Sequence, residues 1–199
     1  MKKFEEKKFN ILALEGISEK NIEEHLKLYA GYVKNANLIL SMIEQYGKTD
    51  DEGGKYSVSE ITRRFAFEWG GMRNHEYYFH ALEGKAAPLA DDSPLKKDIE
   101  ENWGSFDAWL VRFKTIALTR GVGWAMLVYD PVTKQLLNNW NDEQHLGHLI
   151  NTIPVLALDM WEHSFVADYQ PSGKKQYIED FFKNLNWDVI EQNFADASK

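Results

Sequence analysis

Pro154-Val155-Leu156-Ala157-Leu158-Asp159-Met160-Trp161-Glu162-His163 joins two kinds of sequence. Pro154 to Asp159 is short, apolar and partly β-branched, the texture of a buried strand. A carboxylate and an imidazole then emerge together where that strand ends. On a helix or a tight turn, residues four apart lie on one side, so Asp159 and His163 can converge on one point. The bare spacing fits an ordinary Asp/His hydrogen bond as well as a pair of metal ligands.

Working upstream, Trp124 to Tyr129 is a second apolar strand, stopped by Asp130-Pro131. Gln135 to Trp140 follows the Val132-Thr133-Lys134 loop as in a hairpin. The first half of the chain is helical instead. Ser18 is an N-cap candidate, and Ile22, Leu26, Tyr29, Val33, Ala36, Leu40 and Ile43 recur at helical spacing up to Tyr46. Gly47 to Lys55 carries turn residues and predicts a break. Ser57 to Leu82 is a second, aromatic-rich helix interrupted by Gly70-Gly71. An interior Gly costs a helix roughly 1 kcal/mol relative to Ala, so the pair marks either a helix break or a close approach to the backbone. Gly84 to Pro94 is the best candidate for a domain boundary. Short helices over Leu95 to Glu101 and Ser105 to Leu118 precede the strands, and Lys174 to Phe194 returns to helical periodicity. The expected class is α+β: an N-terminal antiparallel helical hairpin domain (1–87), then a mixed α/β domain (88–199) with a small three-stranded antiparallel sheet.

Composition removes several kinds of function. The 199 residues can bury a real core, and the absence of Cys excludes thiolate metal sites and Cys nucleophiles. A formal charge of -8 argues against a nucleic-acid partner, which needs clustered Lys and Arg. It also means that an anionic substrate would need a locally positive approach. No window nears the ~18 apolar residues of a membrane span. The alternating charges of Lys2 to Lys8 do not lead into the apolar stretch of a secretory signal. The expectation is a soluble, cytoplasmic protein.

Six His are available: His25, His75, His80, His145, His148 and His163. A lone His among aromatics is more often a hydrogen-bonded core residue than a ligand, so context must decide. Asp159-Met160-Trp161-Glu162-His163 resembles the D-x-W-E-H signature of the iron/manganese superoxide dismutases. Asn74-His75, followed by Tyr77-Tyr78-Phe79, resembles that family's N-H-x-x-x-W region. Ile17-Ser18, Tyr32-Val33 with Asn37, Gly121-Val122-Gly123-Trp124, Pro154 and Asn186-Trp187 match in order and approximate spacing. The resemblance implies one manganese or iron ion per chain at the interface of the two domains, held by His25, His75, Asp159 and His163. Such a nitrogen and oxygen set suits either metal; zinc would bind it without cycling between oxidation states.

The same resemblance implies superoxide as the substrate, disproportionated in two strokes that each need protons. Tyr32 matches the family's outer Tyr, and Gln144 is the candidate for its partner, with His145 as the alternate. Gly71, four residues before His75, resembles the manganese-type pattern. Trp124 and Trp161 keep the apolar wall of the site. Glu162, which in the family reaches the ligand His of the partner subunit, remains, so a homodimer through the active-site face is expected. The alternative is a catalytically inactive member of the fold serving as an interaction or structural protein.

The pattern departs from the family in places. His25 and Tyr32 stand seven residues apart, one fewer than is usual. At about 100° per residue, seven steps return almost to the starting face, so a regular α-helix is expected here where family members would carry a π-bulge. Counting the family spacing back from Tyr32 lands on Glu24, while the distance from Ser18 favours His25. Tyr29 replaces a common His, and Val166 replaces the Tyr that pairs with it across the dimer interface. Met126 and Phe79 stand where Trp is usual, a change that keeps the wall apolar.

Overall fold

The computed structural model describes residues 2–199. Helix α1 runs from Glu19 to Tyr46, and its first turn is capped by Ser18, whose extended backbone lets Oγ accept the Asn21 N–H at 3.1 Å. One face buries Ile22, His25, Tyr29, Val33, Ala36 and Ile39, the three- and four-residue stagger of a helix packed on one side. The helix is regular α throughout, with no π turn between His25 and Tyr32.

Helix α2, Glu52–Ala81, pairs with α1 as a hairpin. It starts earlier than the glycines suggest, because the Asp51 carboxylate accepts the Gly54 N–H at 2.8 Å and caps the helix. Gly53 and Gly54 therefore lie in its first turn, and the break shrinks to Gly47–Asp51. Nor do Gly70 and Gly71 interrupt it. A Cβ on Gly70 would lie 2.0 Å from the Gln144 backbone oxygen, and one on Gly71 would lie 2.4 Å from the Tyr32 ring. The pair marks close approach on both sides of the helix.

Helices α3 (Pro94–Trp103) and α4 (Phe106–Ala117) lead into the sheet, β1 (Gly123–Asp130), β2 (Gln135–Asp142) and β3 (Ile153–Asp159). The strand order is β2-β1-β3, antiparallel throughout. Strand β1 is central and buried from Gly123 to Tyr129. Its register sets Trp124 opposite Asn141 on one side and Asp159 on the other, so the end of β3 and the end of β2 meet beside one indole. Strand β2 runs two residues beyond the predicted Trp140 to do this. The final helical stretch is two helices, α5 (Lys174–Lys183) and α6 (Trp187–Ala197), divided where the Asn186 N–H leaves helical pairing to donate to the Ala81 carbonyl at 2.9 Å.

The N-terminal arm is laid along the hairpin. Asn37 on α1 bonds both the N–H and the carbonyl of Phe4, at 2.8 and 2.9 Å. Near its other end, Asn184 does the same for Glu15 at 2.8 and 2.9 Å. No described helix is long and apolar enough to cross a membrane.

The glycines of the two helices should respond oppositely to a methyl group. At Gly31 on α1 an added Cβ meets nothing within 4 Å. Gly31→Ala should thus gain about 1 kcal/mol of helix stability, a rise in Tm of roughly 2–4 °C for a chain of this size. Gly70→Ala gains the same propensity but drives a methyl into backbone, so it should lower Tm by differential scanning calorimetry. Equal shifts at the two sites would contradict the close approach.

Candidate metal centre

Four elements deliver one polar cluster. His25 comes from α1, His75 from α2, Asp159 is the last residue of β3, and His163 lies in the short 3-10 turn Glu162–Ser164 that follows. Asp159 Oδ2 lies 3.2 Å from His25 Nε2, 3.6 Å from His75 Nε2 and 3.2 Å from His163 Nε2. One ligand atom from each of the four residues falls within 4.8 Å of the others. The side chains of His25, His75 and Asp159 are fully buried, and His163 is mostly so.

Local backbone chemistry aims each group. The Trp161 N–H donates to Asp159 Oδ1 at 2.7 Å, which turns Oδ2 inward. The Ser164 hydroxyl donates to the carbonyls of Asp159 and Trp161 at 3.0 and 2.7 Å, closing the turn that brings His163 back over the carboxylate. On α2, His75 Nδ1–H donates to the Gly71 carbonyl one turn earlier, at 2.5 Å. Its proton is thereby committed, and the Nε2 lone pair faces the cluster with no hydrogen-bond partner among the described residues.

Such a group calls for a cation. Burial, reinforced by His25, lowers the His75 pKa to about 3, and burial lowers that of His25 as well. Burial alone would raise the Asp159 carboxyl, but His163 and His25 outweigh it and hold it well below the usual carboxylate range. An ionised carboxylate therefore faces a neutral imidazole nitrogen that has no proton to offer it. A buried lone pair left in this way is costly, and a metal ion at the centre would satisfy it together with the carboxylate. Three imidazoles with one carboxylate and no thiolate form a donor set for a borderline or hard first-row metal.

Around the cluster runs a second layer of hydrogen bonds. Trp124 Nε1–H donates to Gln144 Oε1 at 3.0 Å, and Gln144 Nε2–H donates to the Tyr32 hydroxyl at 3.0 Å. The Tyr32 ring sits 5.1 Å from the His75 ring in the space that Gly71 leaves open. Burial, and then the Asp159 charge, push the Tyr32 phenol well above its ordinary pKa. Of the two candidates at the end of β2, Gln144 reaches Tyr32, while His145 packs its ring 5.6 Å from Phe67. Glu24 turns away and pairs with Lys27 at 2.7 Å on the exposed side of α1. Tyr29 stacks 6.5 Å from His75, and its hydroxyl accepts the Lys7 N–H and donates to Glu76. Trp161 stacks 5.8 Å from His163. Met126 and Phe79 are fully buried, and Glu162 is exposed beside His163. Asn74, Asn141 and His148 cluster around Gln144; the sequence offers Asn74 only as part of the Asn74-His75 match and His148 only as one of six His, and it gives no signal for Asn141.

Residues 91–193 match the family model of the C-terminal domain of iron/manganese superoxide dismutases. The iron superoxide dismutase of Aquifex aeolicus is 35% identical over 192 residues, covering 94% of this chain and 88% of its own. The iron enzyme of Tetrahymena pyriformis is 31% identical over 178 residues, with 87% and 89% covered. The manganese enzyme of Chlamydia muridarum is 31% identical over 179 residues, with 88% and 85% covered. The chain belongs to the iron/manganese superoxide dismutase family. Its helical hairpin and three-stranded antiparallel sheet are consistent with that family's fold. Relatives named for iron and for manganese both match it, so likeness alone leaves the metal open between the two.

The buried imidazoles also set how this dismutase fold responds to acid when metal is removed. In the unfolded chain His75 protonates near 6.5, whereas in the folded, metal-free chain it stays neutral down to about 3. Between those values the unfolded state binds the extra proton, so stability falls as pH falls, by about 1.4 kcal/mol per pH unit for each such imidazole. His25, shifted the same way, adds to the loss. Urea unfolding of chelator-treated protein should show a lower midpoint at pH 5 than at pH 7; an unchanged midpoint would contradict the neutral, buried imidazoles.

Proposed function

We propose that the protein is a superoxide dismutase working at a single iron or manganese ion held by His25, His75, Asp159 and His163. The observation that carries this is the convergence of three Nε2 atoms on one buried carboxylate oxygen, with the His75 lone pair unmatched. A bound ion of either metal would take up and return one electron, turning two superoxide anions and two protons into oxygen and hydrogen peroxide. The protein's own part is to hold protons and exclude water. Trp124 fixes the Gln144 amide so that its N–H side faces Tyr32. The Tyr32 oxygen accepts that bond and keeps its own proton free to give. A phenol is protonated at neutral pH, and burial holds the Tyr32 proton more firmly still, so Tyr32 keeps a proton in place to pass to a strong base formed in the reaction. Trp124, Trp161 and Phe79 line the site with apolar surface.

The same reading divides the chain into a hairpin domain, 1–87, and an α/β domain, 88–199, with the metal between them. In support, His25 and His75 come from the first part, and Asp159 and His163 from the second. Manganese is the favoured ion, because the absence of a side chain at Gly71 leaves the outer amide to Gln144. A homodimer through this face is proposed on the exposure of Leu146, Leu149, Ile150, Ile153 and Val166 on the segments that flank the site, apolar surface that a partner copy would cover.

Elemental analysis of the purified protein should find one iron or manganese per chain, with superoxide dismutation restored to metal-free protein by one of them and not by zinc. Stoichiometric metal without dismutation would sink the proposal. His25→Ala should lose the metal and Glu24→Ala should keep it; the reverse would move the ligand by one position along α1. By sedimentation the native protein should have twice the mass of one chain. Val166→Arg should yield monomers, and a native monomer would remove the shared face.

A further inference from the structure

Gln144 stands at the tip of a tight loop, closed where the Asp142 N–H meets the Leu146 carbonyl at 2.9 Å and the Leu146 N–H meets the Asp142 carbonyl at 3.1 Å. A side chain at such a tip is only as well placed as the backbone beneath it. Three contacts pin that backbone. Trp161 Nε1–H donates to the Glu143 carbonyl at 3.2 Å. Asn74 Nδ2–H, from α2, donates to the Gln144 carbonyl at 3.2 Å. The third pin is His148, four residues on, whose Nε2 lies 3.3 Å from that same carbonyl.

His148 is itself held. Asn141 Nδ2 lies 2.9 Å from His148 Nδ1 and 3.2 Å from Nε2. Because the Gln144 carbonyl can only accept, a bond to it requires the proton on Nε2, which leaves Nδ1 of the neutral ring unprotonated beside the Asn141 amide. The amide is fixed in turn from the sheet: Asn139 Nδ2 donates to Asn141 Oδ1 at 2.5 Å and to the Gly147 carbonyl at 2.9 Å, and Asn141 Nδ2 lies 2.8 Å from Met126 Sδ. Asn141 is fully buried. The chain of contacts thus runs from the centre of the sheet, through Asn141 and His148, to the backbone that carries the Gln144 amide.

We infer that His148 is a positioning residue for Gln144, anchored by Asn141, and that together they set the angle at which the Gln144 amide meets Tyr32 and Trp124. The functional importance of that angle rests on the dismutase reading; the positioning itself does not. Neither residue touches the metal cluster, so their loss should leave metal binding intact. His148→Leu removes both the donor and the acceptor. His148→Gln can supply both, with an amide N–H for the Gln144 carbonyl and an amide oxygen for Asn141.

The test follows the Trp124 indole N–H, which donates to Gln144 Oε1, by nitrogen-15 NMR of the full chain loaded with zinc, a diamagnetic ion. The resonance is assigned with Trp124→Phe. In His148→Leu this N–H should exchange with solvent faster by about two- to tenfold, the factor that an ordinary hydrogen bond carries, and its shift should move. His148→Gln should restore both, and Asn141→Leu should reproduce the loss, with the double variant no worse than either single one. An unchanged Trp124 N–H in His148→Leu, in a protein that still binds zinc stoichiometrically, would overturn the inference whether or not the native protein dismutates superoxide. A native protein without dismutation that still showed the coupling would instead count only against the dismutase reading.

Discussion

One inward oxygen of Asp159 faces three imidazole nitrogens, and much of the architecture can be read as the means of keeping that crowd together. Like dipoles and lone pairs repel in a dry interior, so the arrangement needs both covalent framing and a positive charge. The framing comes from the long capped helices of the hairpin and a central strand buried on both faces. The ion-pair partners of Asp159 are His25, His75 and His163, and a metal ion at the centre would supply the positive charge. Metal binding and folding are therefore linked. An ion that occupies the centre removes the repulsion and stabilises only the folded arrangement.

The packing that frames the cluster is done by absence as much as by bulk. Gly70 and Gly71 let the Gln144 loop and the Tyr32 ring approach α2 from two sides, and the helix bears the propensity cost of two interior glycines to admit them. Tyr29 works in the other direction. Its ring fills the space beside His75, and its hydroxyl is consumed by Lys7 and Glu76, while Glu76 also pairs with Lys7 and Arg73 at 3.0 and 2.7 Å. A position that in the family commonly reaches toward the partner subunit is here tied to the N-terminal arm of the same chain.

How much of this was legible beforehand differs by element. The three strands, the capped start of α1 and the Asp159 to His163 turn follow from apolar runs, capping and the D-x-W-E-H match, all written in a few adjacent residues, whereas the extra two residues of β2 do not. Gly53 and Gly54 look like loop residues and set the expected start of α2 too late; only the Asp51 carboxylate over Gly54 shows why a helix begins there. Gly70-Gly71 stayed ambiguous because sequence carries the cost of a glycine but not the identity of what approaches it. The preference for Gln144 over His145 rests on the family resemblance and not on the local sequence, for a related reason. Neighbouring residues at a loop tip point in opposite directions, and which one faces inward depends on contacts to α2 and the sheet, far away in sequence.

The residue missing between His25 and Tyr32 shows how a local change can be absorbed without moving a site. Seven steps of a regular helix return to within about 20° of the starting face, so an uninterrupted α1 presents both side chains to α2. His25 meets Asp159 at 3.2 Å, and Tyr32 lies against His75 and Gly71. With a longer spacing the same two positions would need a wider turn between them, with one backbone pairing sacrificed. The regular helix keeps that pairing, and its Tyr32 is then located by groups outside α1: the Gln144 amide above it and the bare Gly71 backbone beside it. Placement of the phenol has in effect passed from the helix that carries it to the loop and glycine that receive it.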